Sequence, residues 1–143
     1  MTLFLATCGS RTPVVAVTTG PRDIELTATR PDARLEFSVQ RASAVELVVS
    51  KTANPRGQAF AIQVALELVD DKPGTFALGA ASSLPTDRPG TFLLPVPRDA
   101  QTNITGKGQS VVVVLTLIPV ANDAVLAEPL SVDVRVRIEA DPP

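Results

Sequence analysis

Much of the chain alternates apolar and polar residues with a period of two, which marks half-buried β-strands. From Asp23 to Thr29, Ile24, Leu26 and Ala28 fall on one side and Glu25, Thr27 and Thr29 on the other. From Arg34 to Gln40, Leu35, Phe37 and Val39 point in, while Arg34, Glu36, Ser38 and Gln40 point out. Val45, Leu47 and Val49 form the inner face of a further strand, and Val14–Thr18 reads as a short one ahead of Gly20-Pro21. From Leu130 to Glu139, Val132, Val134, Val136 and Ile138 face in. Ser131, Asp133, Arg135, Arg137 and Glu139 face water, as charges that guard a sheet edge would.

Residues 58–69 satisfy two periods. Phe60, Ile62, Val64, Leu66 and Leu68 alternate without a miss, yet Gln63, Glu67 and Asp70 would also line one helix face. Flanking strands favour a strand here. Ser110–Pro119 is the most β-prone run, and its four consecutive valines favour a central strand. Val111, Val113, Leu115 and Leu117 make one face; Val112, Val114, Thr116 and Ile118 make the other. A sheet with one face in water seldom has two apolar faces. The second face therefore lies under a neighbouring loop or meets a partner or another copy of the chain, and Val112, Val114, Thr116 and Ile118 are the candidate partner-binding residues.

Proline and glycine punctuate these strands. Asp71-Lys-Pro-Gly-Thr-Phe-Ala-Leu78 matches Asp87-Arg-Pro-Gly-Thr-Phe-Leu-Leu94. Pro then Gly suits the central positions of a type II turn, so each copy starts a strand with Phe76 or Phe92 toward the core. The two turns are either a pair of recognition loops on one rim or simply two similar turns. Pro95 and Pro97 make Thr91–Val96 an edge strand. Arg98–Gln109 is the longest polar stretch and reads as a connection.

The 143 residues suit one domain with a core of its own. Net charge is −2 and Arg outnumbers Lys ten to three, without the basic stripe that nucleic-acid binding requires. The chain contains no His, Trp or Tyr. Without His, neither the usual general base near neutral pH nor a Ser-His-Asp or Cys-His arrangement can be built. One Cys alone is too little for a zinc, copper or haem site. The expected reading is a non-enzymatic protein with no metal and no cofactor. Asp70, Asp71, Asp87, Asp99 and Asp123 sit in or beside turns but lack calcium-loop spacing.

Leu5-Ala6-Thr7-Cys8 resembles the lipobox of bacterial lipoproteins. The resemblance implies that Cys8 carries a lipid, that Gly9-Ser-Arg-Thr-Pro13 is a tether, and that Gly9 after the Cys suits outer-membrane sorting. The segment ahead of Cys8 is short and lacks Lys or Arg, which a start codon upstream of Met1 would explain. In the alternative, Thr2–Cys8 is a first strand with a buried thiol.

The chain is thus expected to be all-β, a single antiparallel β-sandwich of about eight strands. It resembles immunoglobulin-like and fibronectin-like domains in strand number and size, without their Cys-Trp-Cys signature. Residues 1–13 would be the remnant signal and tether, and residues 14–143 the sandwich. The expected function is protein–protein interaction or assembly in the bacterial cell envelope. The domain would face the periplasm, joined to the membrane, most simply the outer one, through lipid on Cys8, with an envelope protein or a second copy as partner. The alternative is a module that binds carbohydrate or a calcium-dependent partner through its Pro-Gly loops.

Overall fold

The computed structural model describes residues 20–69, 73–82, 89–104, 108–120 and 125–140. They form eight strands and one short helix: β1 (Arg22–Thr27), β2 (Asp32–Val39), β3 (Ala44–Ala53), β4 (Phe60–Leu68), β5 (Gly74–Ser82), β6 (Gly90–Pro95), α1 (Arg98–Thr102), β7 (Gln109–Pro119) and β8 (Ser131–Glu139). Val14–Thr18, Cys8 and the tether lie outside the described residues.

The strands make two antiparallel four-stranded sheets, ordered β1-β8-β3-β6 and β2-β7-β4-β5. The molecule is the two-sheet β-sandwich that the alternating pattern predicts. Every connection between successive strands except β4–β5 crosses from one sheet to the other. That connectivity is the strand order of a jelly roll, so the likeness to immunoglobulin domains holds for the architecture and not for the path of the chain. β1 lies over β2 at one open side and β5 over β6 at the other.

Inward residues of both sheets build one core. Leu26, Phe37, Val45, Leu47, Leu66, Val111, Val113, Leu115, Val132 and Val136 are fully buried. Residues 58–69 resolve as strand β4, whose alternate positions Phe60, Ile62, Val64, Leu66 and Leu68 all enter the core. A helix there would bury only one stripe and leave β5 and β7 unpaired along this side.

Two expectations change. β8 is not an edge. It pairs with β1 and β3 on either side, and its outward charges pair across the sheet, Arg135 with Asp23 and Arg137 with Glu46, while Arg137 also meets Glu139 along the strand. The polar stretch after β6 is not wholly a connection either. Arg98–Thr102 forms α1, and Ala100 and Ile104 are buried as they close the end of the sandwich nearest the β2–β3 turn.

Edge strands β5 and β6 each begin at the glycine of a Pro-Gly-Thr-Phe copy. In both, the phenylalanine ring two residues on packs over the glycine, 3.4 Å (Phe76) and 3.3 Å (Phe92) from where a Cβ would stand. Both rings lie partly buried against the core. β5 also carries a bulge: Val64 pairs with Gly79 and Ala65 with Ala77, which leaves Leu78 as the extra residue. Gly79 takes φ +137°, a conformation costly for any residue with a Cβ. A bulge at an edge twists it away from pairing with other chains.

Candidate functional site

The two outer faces of the sandwich differ in chemistry. On the β1-β8-β3-β6 sheet the outward positions are largely charged and mutually satisfied. Arg135 holds Asp23 by two hydrogen bonds of 2.8 and 3.2 Å, and Ser131 donates to Glu25 at 2.6 Å. The Arg135 hydrogen bonds hold the Asp23 carboxyl below the usual carboxylate range. Lys51 stands opposite Asp133, and Ser50, the extra residue of a bulge in β3, donates to the Asp133 carbonyl at 3.1 Å. A depression of about 500 Å³ on this face is bordered by Asp23, Glu25, Asp133 and Arg135. Among the described residues no three acidic or Cys side chains are grouped to hold a metal ion.

On the β2-β7-β4-β5 sheet the outward positions along β7, β4 and β5 are mostly apolar or small, with Gln63 and Glu67 of β4 as the exceptions. The four predicted partner-binding residues, Val112, Val114, Thr116 and Ile118, line the outer side of β7. β7 is central in its sheet, as its composition predicts, and its other side enters the core. Val112 is buried, while Val114, Thr116 and Ile118 are half-buried. Register sets their neighbours. Val112 lies between Glu36 and Glu67, Val114 between Arg34 and Ala65, and Thr116 between Asp32 and Gln63.

A pair of side chains reaches across Val112 and Val114. Arg34 of β2 donates to both carboxylate oxygens of Glu67 on β4, at 3.1 and 2.5 Å. β7 runs between those strands, so the pair passes over it at the level of Val112 and Val114. The same hydrogen bonds hold the Glu67 carboxyl below its ordinary range and raise the already high Arg34 value. Beyond the pair, Val114, Thr116, Gln63, Ala65, Ala77 and Ala80 line an open depression of about 400 Å³. Among the described residues no charged one borders it. Ala65, Ala77 and Ala80 on β4 and β5, with Gln63 at its side, make the hollow, and the β-branched side chains of β7 make a ridge beside it.

The alanines of this hollow escaped the sequence reading. Ala65 and Ala77 occupy outward positions where solvated strands usually carry polar residues, and that was the available signal. Their adjacency to Val114 depends on β4 lying beside β7, which periodicity does not report.

A third, apolar depression of about 570 Å³ lies at the α1 end, between Ala42, Ala44, Leu93, Pro95 and Ile104. The Pro-Gly copies do not share a rim. Gly74 pairs with Leu68 at the α1 end of the sandwich, whereas Gly90 pairs with Val49 toward the other end. Asp71, Lys72, Asp87 and Arg88 lie outside the described residues.

No family model and no curated protein matches this sequence. Among solved structures the chain is similar to a recombinantly expressed latent aurone synthase, a polyphenol oxidase, at 16% identity and TM-score 0.46, covering 94% of this chain and 29% of that one. It is also similar to the infectious bursal disease virus VP2 subviral particle, at 13% identity and TM-score 0.43, covering 94% and 37%. A third likeness is to BtGH115A, a family GH115 4-O-methyl-α-glucuronidase, at 15% identity and TM-score 0.36, covering 94% and 19%. The chain spans well under half of each of these proteins, and such remote likenesses assign it no function.

Proposed function

We propose that this chain is a non-enzymatic interaction domain of a bacterial envelope lipoprotein. Lipid on Cys8 tethers it, and the outer face of the β2-β7-β4-β5 sheet makes its protein contacts. The observation that carries this reading is the contrast between the two faces. One is laced with paired charges; the other carries the Arg34–Glu67 pair and, beyond it, Val114, Thr116 and Ile118 beside a hollow that no described charged residue borders. Contiguous apolar surface on a small domain marks a place where another surface is expected to sit.

In-cell photocrosslinking tests the contact face. A benzoylphenylalanine at Thr116 is expected to give a crosslinked adduct, and the same probe at Arg135 on the opposite sheet is expected to give none. Adducts from Arg135 alone would move the contact surface to the charged face. Tethering is tested separately, by labelling cells with a clickable palmitate. Label is expected in wild type and absent in Cys8→Ala; an unlabelled wild type would remove the lipoprotein reading.

A further inference from the structure

We infer that the partner at the β2-β7-β4-β5 face is a second copy of this chain, packed face to face about a two-fold axis parallel to the strands. The inference rests on the proposal that this face is the contact surface, and it names the occupant.

The first argument is shape. The β7 ridge of Val114, Thr116 and Ile118 runs beside the hollow over β4 and β5 formed by Ala65, Ala77 and Ala80. A two-fold axis between β7 and β4 places each copy's β7 over the other's β4, so that Val114 and Ile118 stand over Ala65 and Ala61 and Thr116 over Gln63. Ridge and hollow side by side on one surface make that surface self-complementary, as a closed two-fold contact requires.

The second argument is charge. The same axis places β2 of one copy over β5 of the other. Arg34 of one copy then stands one strand, about 4.8 Å, to the side of Glu67 of the other. Within its own chain Arg34 must reach across two strand spacings and over β7 to meet Glu67. The pair that each copy closes on itself can therefore exchange into two symmetric pairs between copies. Asp32 and Glu36 remain on the β2 rim, while Glu67 on β4 lies near the axis, where Arg34 of the other copy would pair with it.

The third argument is size. Four strands about 4.8 Å apart and roughly 30 Å long give a footprint near 570 Å² per copy. The total, about 1,100 Å², is at the lower limit for a specific interface. That area fits a weak dimer, of the kind that tethering two copies to one surface would populate by raising their effective concentration.

Sedimentation equilibrium of the full chain under reducing conditions, at up to about 1 mM, tests the inference. Wild type is expected to show a monomer–dimer equilibrium. Arg34→Glu and Glu67→Arg are each expected to raise the dissociation constant at least tenfold, because each chain then repels its own kind. An equimolar mixture of the two variants is expected to restore association to within about threefold of wild type, since every contact between unlike chains again joins opposite charges. Their pairs within each chain stay broken in the mixture, so a purely intrachain role would leave it unassociated. Val48→Arg on the opposite sheet is expected to change nothing, and thermal melts confirm that each variant is folded. A wild type that stays monomeric, or a mixture no better than its components, overturns the second copy as partner. A crosslink from Thr116 to a different protein would do so as well, while leaving the contact face itself in place.

Discussion

Arg34 and Glu67 belong to strands that are not neighbours in their sheet, and their side chains meet over the strand between them. The ion pair straps β2 to β4 and shields Val112 and part of Val114 from water. Its side chains remain 57% and 24% exposed, so solvent screens it and its own contribution to stability is small, about 0.5 kcal/mol. Its consequence for the candidate face is larger, since it decides how much of the β7 ridge is presented.

The Glu67 carboxyl is held low by its Arg34 hydrogen bonds, which sets the sign of a pH effect. A carboxylate depressed in the folded state adds stability above its unfolded value, and that contribution is lost as pH falls through the folded one. The loss is expected below about pH 4. Carbon-detected NMR titration should place Glu67 below an ordinary glutamate, and Arg34→Ala should raise it. An unchanged Glu67 in that variant would show that the strap is absent in solution.

Val113 and Val114 are adjacent and face opposite ways, the first fully buried and the second half-buried. Val113→Thr puts an unpaired hydroxyl into the core and is expected to cost about 1–3 kcal/mol in chemical denaturation. Val114→Thr is expected to stay within about 0.5 kcal/mol of wild type. Equal effects would contradict the assignment of the two faces.

Gly79 has φ +137° at the bulge of β5. Gly79→Ala is expected to destabilise by about 1–3 kcal/mol through backbone strain, although the space at its Cβ is ordinary, 3.4 Å from Leu94. A neutral substitution would mean that the bulge relaxes.

The Thr52 hydroxyl is buried and has no hydrogen-bond partner among the described residues. Thr52→Val keeps the shape and removes the unsatisfied group, so stability is expected to rise by about 1 kcal/mol. A lower melting temperature would show that the hydroxyl is satisfied after all.

Gln58 clamps the loop before β4 to the segment before β8. Its side-chain amide donates to the Ala127 carbonyl and accepts from the Ala127 N–H, both at 2.8 Å. Gln58→Ala is expected to cost about 1–2 kcal/mol and to speed hydrogen exchange at the Ala127 amide. Unaltered exchange there would place the clamp elsewhere.

The sequence by itself determined the strands and their inward faces. Alternation at Leu35, Phe37 and Val39, at Val45, Leu47 and Val49, and at Val132, Val134 and Val136 follows from the geometry of a strand. Successive side chains leave it on opposite sides, and only one side can be buried in a two-layer fold. The break before Arg98 was legible for the same local reason, but the type II turns expected at Pro73-Gly74 and Pro89-Gly90 are not formed: neither glycine takes positive φ and each is already the first residue of a strand. Strand order was not, because it is settled by contacts between residues far apart in the chain. Nothing in the alternation of Leu130–Glu139 distinguishes an edge from an interior strand, yet β8 is interior, and its charges pair sideways with Asp23 and Glu46 instead of guarding a border. The apolar second face of β7 was visible as a pattern in Val112, Val114, Thr116 and Ile118. What covers it was decided only when β2 and β4 came to lie on either side, bringing Arg34 and Glu67 together over the valines and the alanines of β4 and β5 into a hollow beside them.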